Sequence, residues 1–154
     1  MGKQFESASR IIASEIPVNV IKLEHGSFDT HSNQRNTQDR LLKDLSESIA
    51  SFRSSMIDIG RWNDVLIMTY SEFGRRVGQN GSNGTDHGTA APHFVTGGKV
   101  RGGLYGKQPD LNDLDYGDLK FHVDYRSMYS TVAKNWWNTS TDFLVKYPTI
   151  NFLL

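Results

Sequence analysis

Three short polar runs hold the side chains of this 154-residue chain best able to do chemistry. The first, His25-Gly26-Ser27-Phe28-Asp29-Thr30-His31, follows the apolar stretch Val18 to Leu23. In extended backbone, residues two apart project to the same side, so Asp29 and His31 can offer a carboxylate oxygen and an imidazole nitrogen to one divalent ion. In the competing reading Asp29 closes a turn through local amides and His31 is exposed. The second run, Ser71-Glu72-Phe73-Gly74-Arg75-Arg76, follows the apolar stretch Val65 to Tyr70. Ligands of open α/β sheets bind at the carboxyl ends of the strands, which places Glu72 and Arg75 to meet one. A surface ion pair at a helix start is the alternative there. The third run, Gly84-Thr85-Asp86-His87-Gly88, is polar and glycine-flanked. Such a loop is a poor setting for a core histidine, which leaves His87 as a ligand or an exposed turn residue. Oxygen and imidazole donors in a chain without cysteine match Zn²⁺, Mn²⁺ or a related divalent ion better than copper or iron–sulfur sites.

Other templates fail. Gly81-Ser82-Asn83-Gly84 lacks the spacing of a serine nucleophile elbow, and no Gly-Lys-Ser or Gly-Lys-Thr phosphate loop is present. The acidic run Asp110 to Asp118 has Gly117 at the wrong offset for a calcium loop and reads as a solvated turn. His93, between Pro92 and Phe94, reads as structural, and His122 as facing solvent or packing on the final helix.

The elements that must position these runs follow from periodicity. Phe5, Ala8, Ile11, Ile12 and Ile16 share one helical face, and Pro17 forbids continuation. Val18 to Leu23 is rich in β-branched residues and predicts a mostly buried strand. Leu41, Leu42, Leu45, Ile49, Phe52 and Met56 mark a long amphipathic helix closed by Gly60, and Val65 to Tyr70 a second buried strand. Strand, helix, strand predicts a βαβ unit with parallel strands. Ten of the fourteen glycines fall between Gly74 and Gly106, which predicts a long functional loop or meander whose one strand candidate is His93 to Thr96. The first two polar runs follow their strands whereas His87 precedes its own, so all three converge only if the strand near His93 is antiparallel to the others, in a mixed sheet. Lys99 to Arg101, bracketed by glycine pairs, suggests a small hairpin, and Leu119 to Val123 is a short apolar stretch. Asp124 reads as the N-cap of a helix carrying Tyr125, Met128, Tyr129, Val132 and Trp136. The tail from Asn138 to Leu154 is apolar but irregular.

Composition limits the classes of function. The 17 basic and 17 acidic side chains cancel, and without a basic excess or stripe a nucleic-acid partner is not expected. Mean hydropathy is −0.50, and no apolar run approaches the roughly 18 to 20 residues that span a bilayer, so no membrane partner is expected either. The first residues carry no export signal, which leaves the compartment open.

Taken in order, Phe28-Asp29-Thr30-His31-Ser32-Asn33-Gln34, then Thr69-Tyr70-Ser71-Glu72-Phe73-Gly74-Arg75-Arg76, then Asn80, then Gly84-Thr85-Asp86-His87-Gly88-Thr89-Ala90-Ala91 resemble the sulfatase-like domain of unknown function 1501, of the alkaline-phosphatase-like superfamily. The resemblance runs from the Phe5 to Ile12 helix through Gly97-Gly98, Gly102-Gly103 and Tyr105-Gly106 to Asp124-Tyr125-Arg126. Ser27 departs from it, standing where the family usually has a second glycine before the aromatic residue.

The resemblance implies an α/β fold, part of a three-layer α/β/α arrangement on a mixed, mostly parallel sheet. Residues 1–154 would be a single domain corresponding to the C-terminal half of that fold, with the first strand, its metal-binding aspartate and the nucleophile expected upstream of Met1. Members are often exported. In the superfamily two divalent metals activate the nucleophile and polarise a phosphoryl or sulfuryl oxygen. Carried over, this makes Asp29, His31 and His87 one metal site for Zn or Mn and Glu72 an acidic ligand of a second, where Phe73 replaces a histidine. Asp86 would orient His87 from behind, Arg75 would neutralise an anionic substrate group, and Asn80 would support the site or the substrate. The implied function is a metal-dependent hydrolase of small phosphate or sulfate esters, incomplete and inactive without its N-terminal half. The alternative is a non-catalytic metal-binding or assembly module that has lost turnover, and a third reading has the motifs only capping turns in a metal-free domain.

Overall fold

The computed structural model describes residues 1–139, 142 and 144–154. Among the described residues three α-helices and three two-stranded sheets give a mixed α/β chain, which falls into two compact units. One comprises residues 1–63 and 78–86, the other residues 64–77 and 87–154.

The first unit is built on two helices, α1 (Gly2–Ala13) and α2 (Gln34–Asp58). The Phe5 and Ala8 positions of α1 are buried as the spacing predicts, and Phe5 meets Phe52 of α2 with ring centroids 5.1 Å apart. Helix α1 stops short of the expected Ile16, because Glu15 adopts a left-handed φ of 56° two residues before Pro17. The 25 residues of α2 contain the whole predicted apolar face, with Leu41, Phe52 and Met56 buried. Its end is a glycine cap: Gly60, at φ 69°, donates to the Ile57 carbonyl and Arg61 to that of Met56, so two otherwise unpaired carbonyls are satisfied.

The expected strand from Val18 to Leu23 does not form, and Val20 is 66% exposed. A β-branched stretch becomes a strand only when another strand takes its backbone groups. Here a side chain does so at its end: the Gln4 carboxamide donates to the Glu24 carbonyl at 2.7 Å and accepts from the Glu24 amide at 2.9 Å. The βαβ unit therefore lacks its first strand, and among the described residues no parallel pair is present.

In the second unit β1 (Leu66–Met68) pairs antiparallel with β4 (Val95–Gly97), in the register Leu66 to Gly97, Ile67 to Thr96 and Met68 to Val95. This is the antiparallel relation expected for the strand near His93. Val132, Phe152 and Leu153 form the core beneath it, packed by Leu66, Met68, Val95, Val100, Trp136 and Ile150. Instead of making the small hairpin suggested at Lys99 to Arg101, Val100 bridges antiparallel to Leu153.

The glycine-rich region contains a hairpin of β2 (Gly74–Gln79) and β3 (Thr85–Gly88), two hydrogen-bonded neighbours. Their short connection forces them antiparallel, since parallel strands need a crossover of roughly a dozen residues. The acidic run holds a second small hairpin, β5 (Leu114–Asp115) with β6 (Asp118–Leu119), turning through Tyr116 and Gly117 at φ 50° and 91°. Beyond Leu119 the apolar stretch to Val123 is not a strand, and Phe121 and His122 are exposed.

Asp124 caps α3 (Tyr125–Thr131) as predicted, accepting from the Arg126 amide at 2.9 Å, and a π-helical turn (Val132–Trp136) continues it. Of the apolar positions expected on this helix, Val132 is buried and Trp136 packs on the core, whereas Tyr125 and Tyr129 are exposed and Ser127, Ser130 and Thr131 point inward. These small hydroxyl residues bind the tail: Ser130 Oγ donates to the Tyr147 carbonyl and Thr131 Oγ1 accepts from the Ile150 amide. Residues 140, 141 and 143 of the expected irregular tail lie outside the described residues.

Candidate functional site

Asp29 and His31 lie on the segment between α1 and α2, flanked by two residues with left-handed φ, Ser27 at 72° and Asn33 at 43°. That conformation favours glycine, which gives a physical reason for a glycine at position 27 and marks Ser27 as strained. The Thr30 amide donates to the Phe28 carbonyl at 2.9 Å, a tight turn that sets Asp29 beside His31. Their side chains meet, with Asp29 Oδ1 2.9 Å from His31 Nε2, and both are exposed. The other ring nitrogen, Nδ1, faces Asp86 Oδ1 at 3.6 Å. One imidazole thus stands between two carboxylates, a concentration of oxygen and nitrogen donors open to solvent.

The tip of the β2–β3 hairpin holds this arrangement from below. Asn80 Oδ1 accepts from the Ser82 amide at 2.9 Å and from the Gly84 amide at 3.0 Å. Its Nδ2 donates to the His31 carbonyl at 3.0 Å and to Asp86 Oδ1 at 3.4 Å. Gly84 packs so closely beneath His31 that a Cβ there would run into the His31 backbone carbonyl. The tip also serves α2, whose first amides have no partners within the helix. Asn33 and Gln34 donate to the carbonyls of Ser82 and Asn83, each at 3.0 Å, and Thr85 Oγ1 donates to Gln34 Oε1 at 2.8 Å.

In the second unit, His87 lies flat on Phe73 with ring centroids 3.7 Å apart and an interplanar angle of 8°. The Arg75 guanidinium carbon is 5.1 Å from the centre of the same phenyl ring. Glu72 is exposed, and among the described residues it joins no group of three or more ligating side chains. His93 is half-buried, and burial pushes its pKa below the ordinary histidine value, in keeping with a structural role.

A family model described as a protein of unknown function, DUF1501, matches residues 7–147. The chain belongs to the DUF1501 family. No curated protein and no solved structure matches it.

In this DUF1501 member the structure brings Asp29, His31, Asp86 and Asn80 of the first unit into one cluster, and in the second unit His87 stacks on the Phe73 ring that Arg75 also meets. Asp86, expected to support His87, has an oxygen facing the His31 ring. Sequence reasoning missed two residues. His25 Nε2 lies 3.1 Å from the Leu41 carbonyl and 3.5 Å from Asp44 Oδ2, with its ring edge-on to Phe28, so it anchors the start of the polar run to α2. Gln4 does the same from α1 by pairing with Glu24. Membership in the first run was the only signal for His25, and Gln4 carried none.

Proposed function

We propose that this chain supplies the divalent-metal site of a phosphate- or sulfate-ester hydrolase of the alkaline-phosphatase-like superfamily, as the counterpart of that fold's C-terminal half with its mostly parallel sheet. The observation that carries the reading is the Asp29–His31 pair, 2.9 Å from oxygen to nitrogen, with Asp86 on the second ring nitrogen. Two donors bound to one tetrahedral ion at about 2.1 Å stand roughly 3.4 Å apart, so these exposed side chains need to part by only about half an ångström to admit it. A carboxylate on the far nitrogen of a metal-binding histidine fixes the ring and raises its basicity, the part Asp86 takes.

His87, bonded directly to Asp86 along β3, is the third ligand in this reading, and oxygen with imidazole favours Zn²⁺ or Mn²⁺. A bound ion would polarise the ester oxygen and lower the pKa of an attacking hydroxyl. Asp29 and His31 hold the ion, and Arg75 meets the anionic group of a small ester substrate. Glu72 is the acidic ligand of a second ion. The nucleophile belongs to the other half of the fold. Phe73 favours a second reading, a non-catalytic metal-binding or assembly module, because its ring occupies a histidine's place and covers one face of His87.

Calorimetric titration of the purified chain with Zn²⁺ and Mn²⁺, followed by metal analysis after desalting, tests the reading. Binding of an ion that His31→Ala or His87→Ala largely abolishes is the expected result; no bound ion at neutral pH overturns it. A panel of phosphate and sulfate esters, assayed with the full-length protein with and without metal, separates hydrolase from inactive module.

A further inference from the structure

The side chain of Asn80 is saturated. A carboxamide has two N–H donors and two acceptor lone pairs, and here all four are used: Oδ1 takes the amides of Ser82 and Gly84, and Nδ2 serves the His31 carbonyl and Asp86. Its main chain adds two more bonds, the Asn80 amide donating to the Gly84 carbonyl at 2.9 Å and the Asn80 carbonyl accepting from Asn83 at 3.3 Å. A flipped amide would turn four bonds into four repulsions, so the network itself fixes which atom is which. We infer that Asn80 is the positioning residue of the candidate metal centre, tying the His31 main chain and the Asp86 carboxylate to one rigid hairpin tip.

Aspartate, serine and glutamine each fail to do both jobs. Aspartate keeps the two acceptor bonds but has no N–H for His31 and sets a second carboxylate against Asp86. Serine closes the turn to Ser82, though more weakly, and is too short to reach His31. Glutamine is one methylene longer and moves the amide out of the turn. Asn80 touches neither proposed ligand atom on Asp29 or His31, so it acts through the His31 backbone and through Asp86. Support of this kind contributes about tenfold to a hundredfold in metal affinity.

The inference rests on the metal-site reading for its functional meaning, yet its geometry can be tested without metal. Zinc titration and backbone NMR of the full chain are compared for wild type, Asn80→Ser and Asn80→Ala. In Asn80→Ser the Ser82 amide stays protected from exchange while the His31 carbonyl carbon moves upfield on losing its donor, and zinc affinity falls about tenfold to a hundredfold. Asn80→Ala loses the Ser82 protection as well. An unmoved His31 carbonyl, or zinc affinity within twofold of wild type in Asn80→Ser, overturns the inference. If wild type takes up no zinc while the carbonyl still moves, the metal reading fails and the positioning role stands.

Discussion

Asp86 sets a carboxylate oxygen 3.6 Å from Nδ1 of His31, while Asp29 holds Nε2 at 2.9 Å. The two carboxylates come from distant parts of the sequence, one from the segment before α2 and one from β3, and the hairpin tip that carries Asp86 also caps α2. Local fold and candidate chemistry therefore depend on the same few hydrogen bonds.

Replacing Asp86 with asparagine keeps the size of the side chain and removes its charge from the His31 ring. Zinc affinity is expected to drop about tenfold to a hundredfold, as for other carboxylates behind a ligating histidine, while Asp29→Ala removes a ligand and costs more. Competition titration against a chelator of known affinity measures both. Equal losses from the two variants would place Asp86 on the ion itself.

Gly84 tests the packing under His31. Gly84→Ala forces a methyl group into the His31 carbonyl and is expected to destabilise the chain by about 1–3 kcal/mol, the usual range for overpacking. Gly81, in the same tip, faces open space, so Gly81→Ala is expected to leave the urea midpoint nearly unchanged. Matching midpoints for the two variants would show that the tip does not sit against His31.

Sequence was most informative where burial matches hydropathy. Helix α2 was legible because its buried side is leucine, phenylalanine and methionine at helical spacing, and the Asp124 cap because a short carboxylate before a helical run has one obvious use. Helix α3 was legible as a helix but not in its orientation, since the side it buries is serine and threonine and the apolar periodicity points at exposed tyrosines. The Val18 to Leu23 stretch misled for another reason: strand propensity describes a surface to be paired, and the pairing partner is not a local property. At the site, Asp29 and His31 were legible from their two-residue spacing. The resemblance gave Asp86 and Asn80 supporting roles, but their contacts with His31 were not legible, because both reach across the gap between position 31 and the hairpin tip, which only the fold closes.

The hydroxyl face of α3 gives a sharp contrast. Thr131 is fully buried; its Oγ1 donates to the Ser127 carbonyl at 2.7 Å and accepts from the Ile150 amide at 2.8 Å. Thr131→Val preserves the shape and strands the Ile150 N–H without a partner, which is expected to cost about 1–3 kcal/mol in chemical denaturation. Thr131→Ser keeps both bonds, loses one methyl group, and is expected to cost about 1 kcal/mol. A smaller loss in Thr131→Val than in Thr131→Ser would mean that packing, not the hydrogen bond, secures the tail.

His93 links the second unit to pH. Burial lowers its folded pKa, whereas in the unfolded chain it takes up a proton near the ordinary value of about 6.5. Between those two pKa values the unfolded chain binds more protons than the folded one, so stability rises with pH through that window. The contribution of His93 is complete above about pH 6.5 and is lost as pH falls from there toward the folded value. His93→Gln, which cannot titrate, is therefore expected to lose less stability than wild type between pH 7.5 and pH 5.0 when urea midpoints are compared at the two pH values. Parallel pH profiles for the two proteins would show that His93 is solvated in the native state and that another group sets the slope.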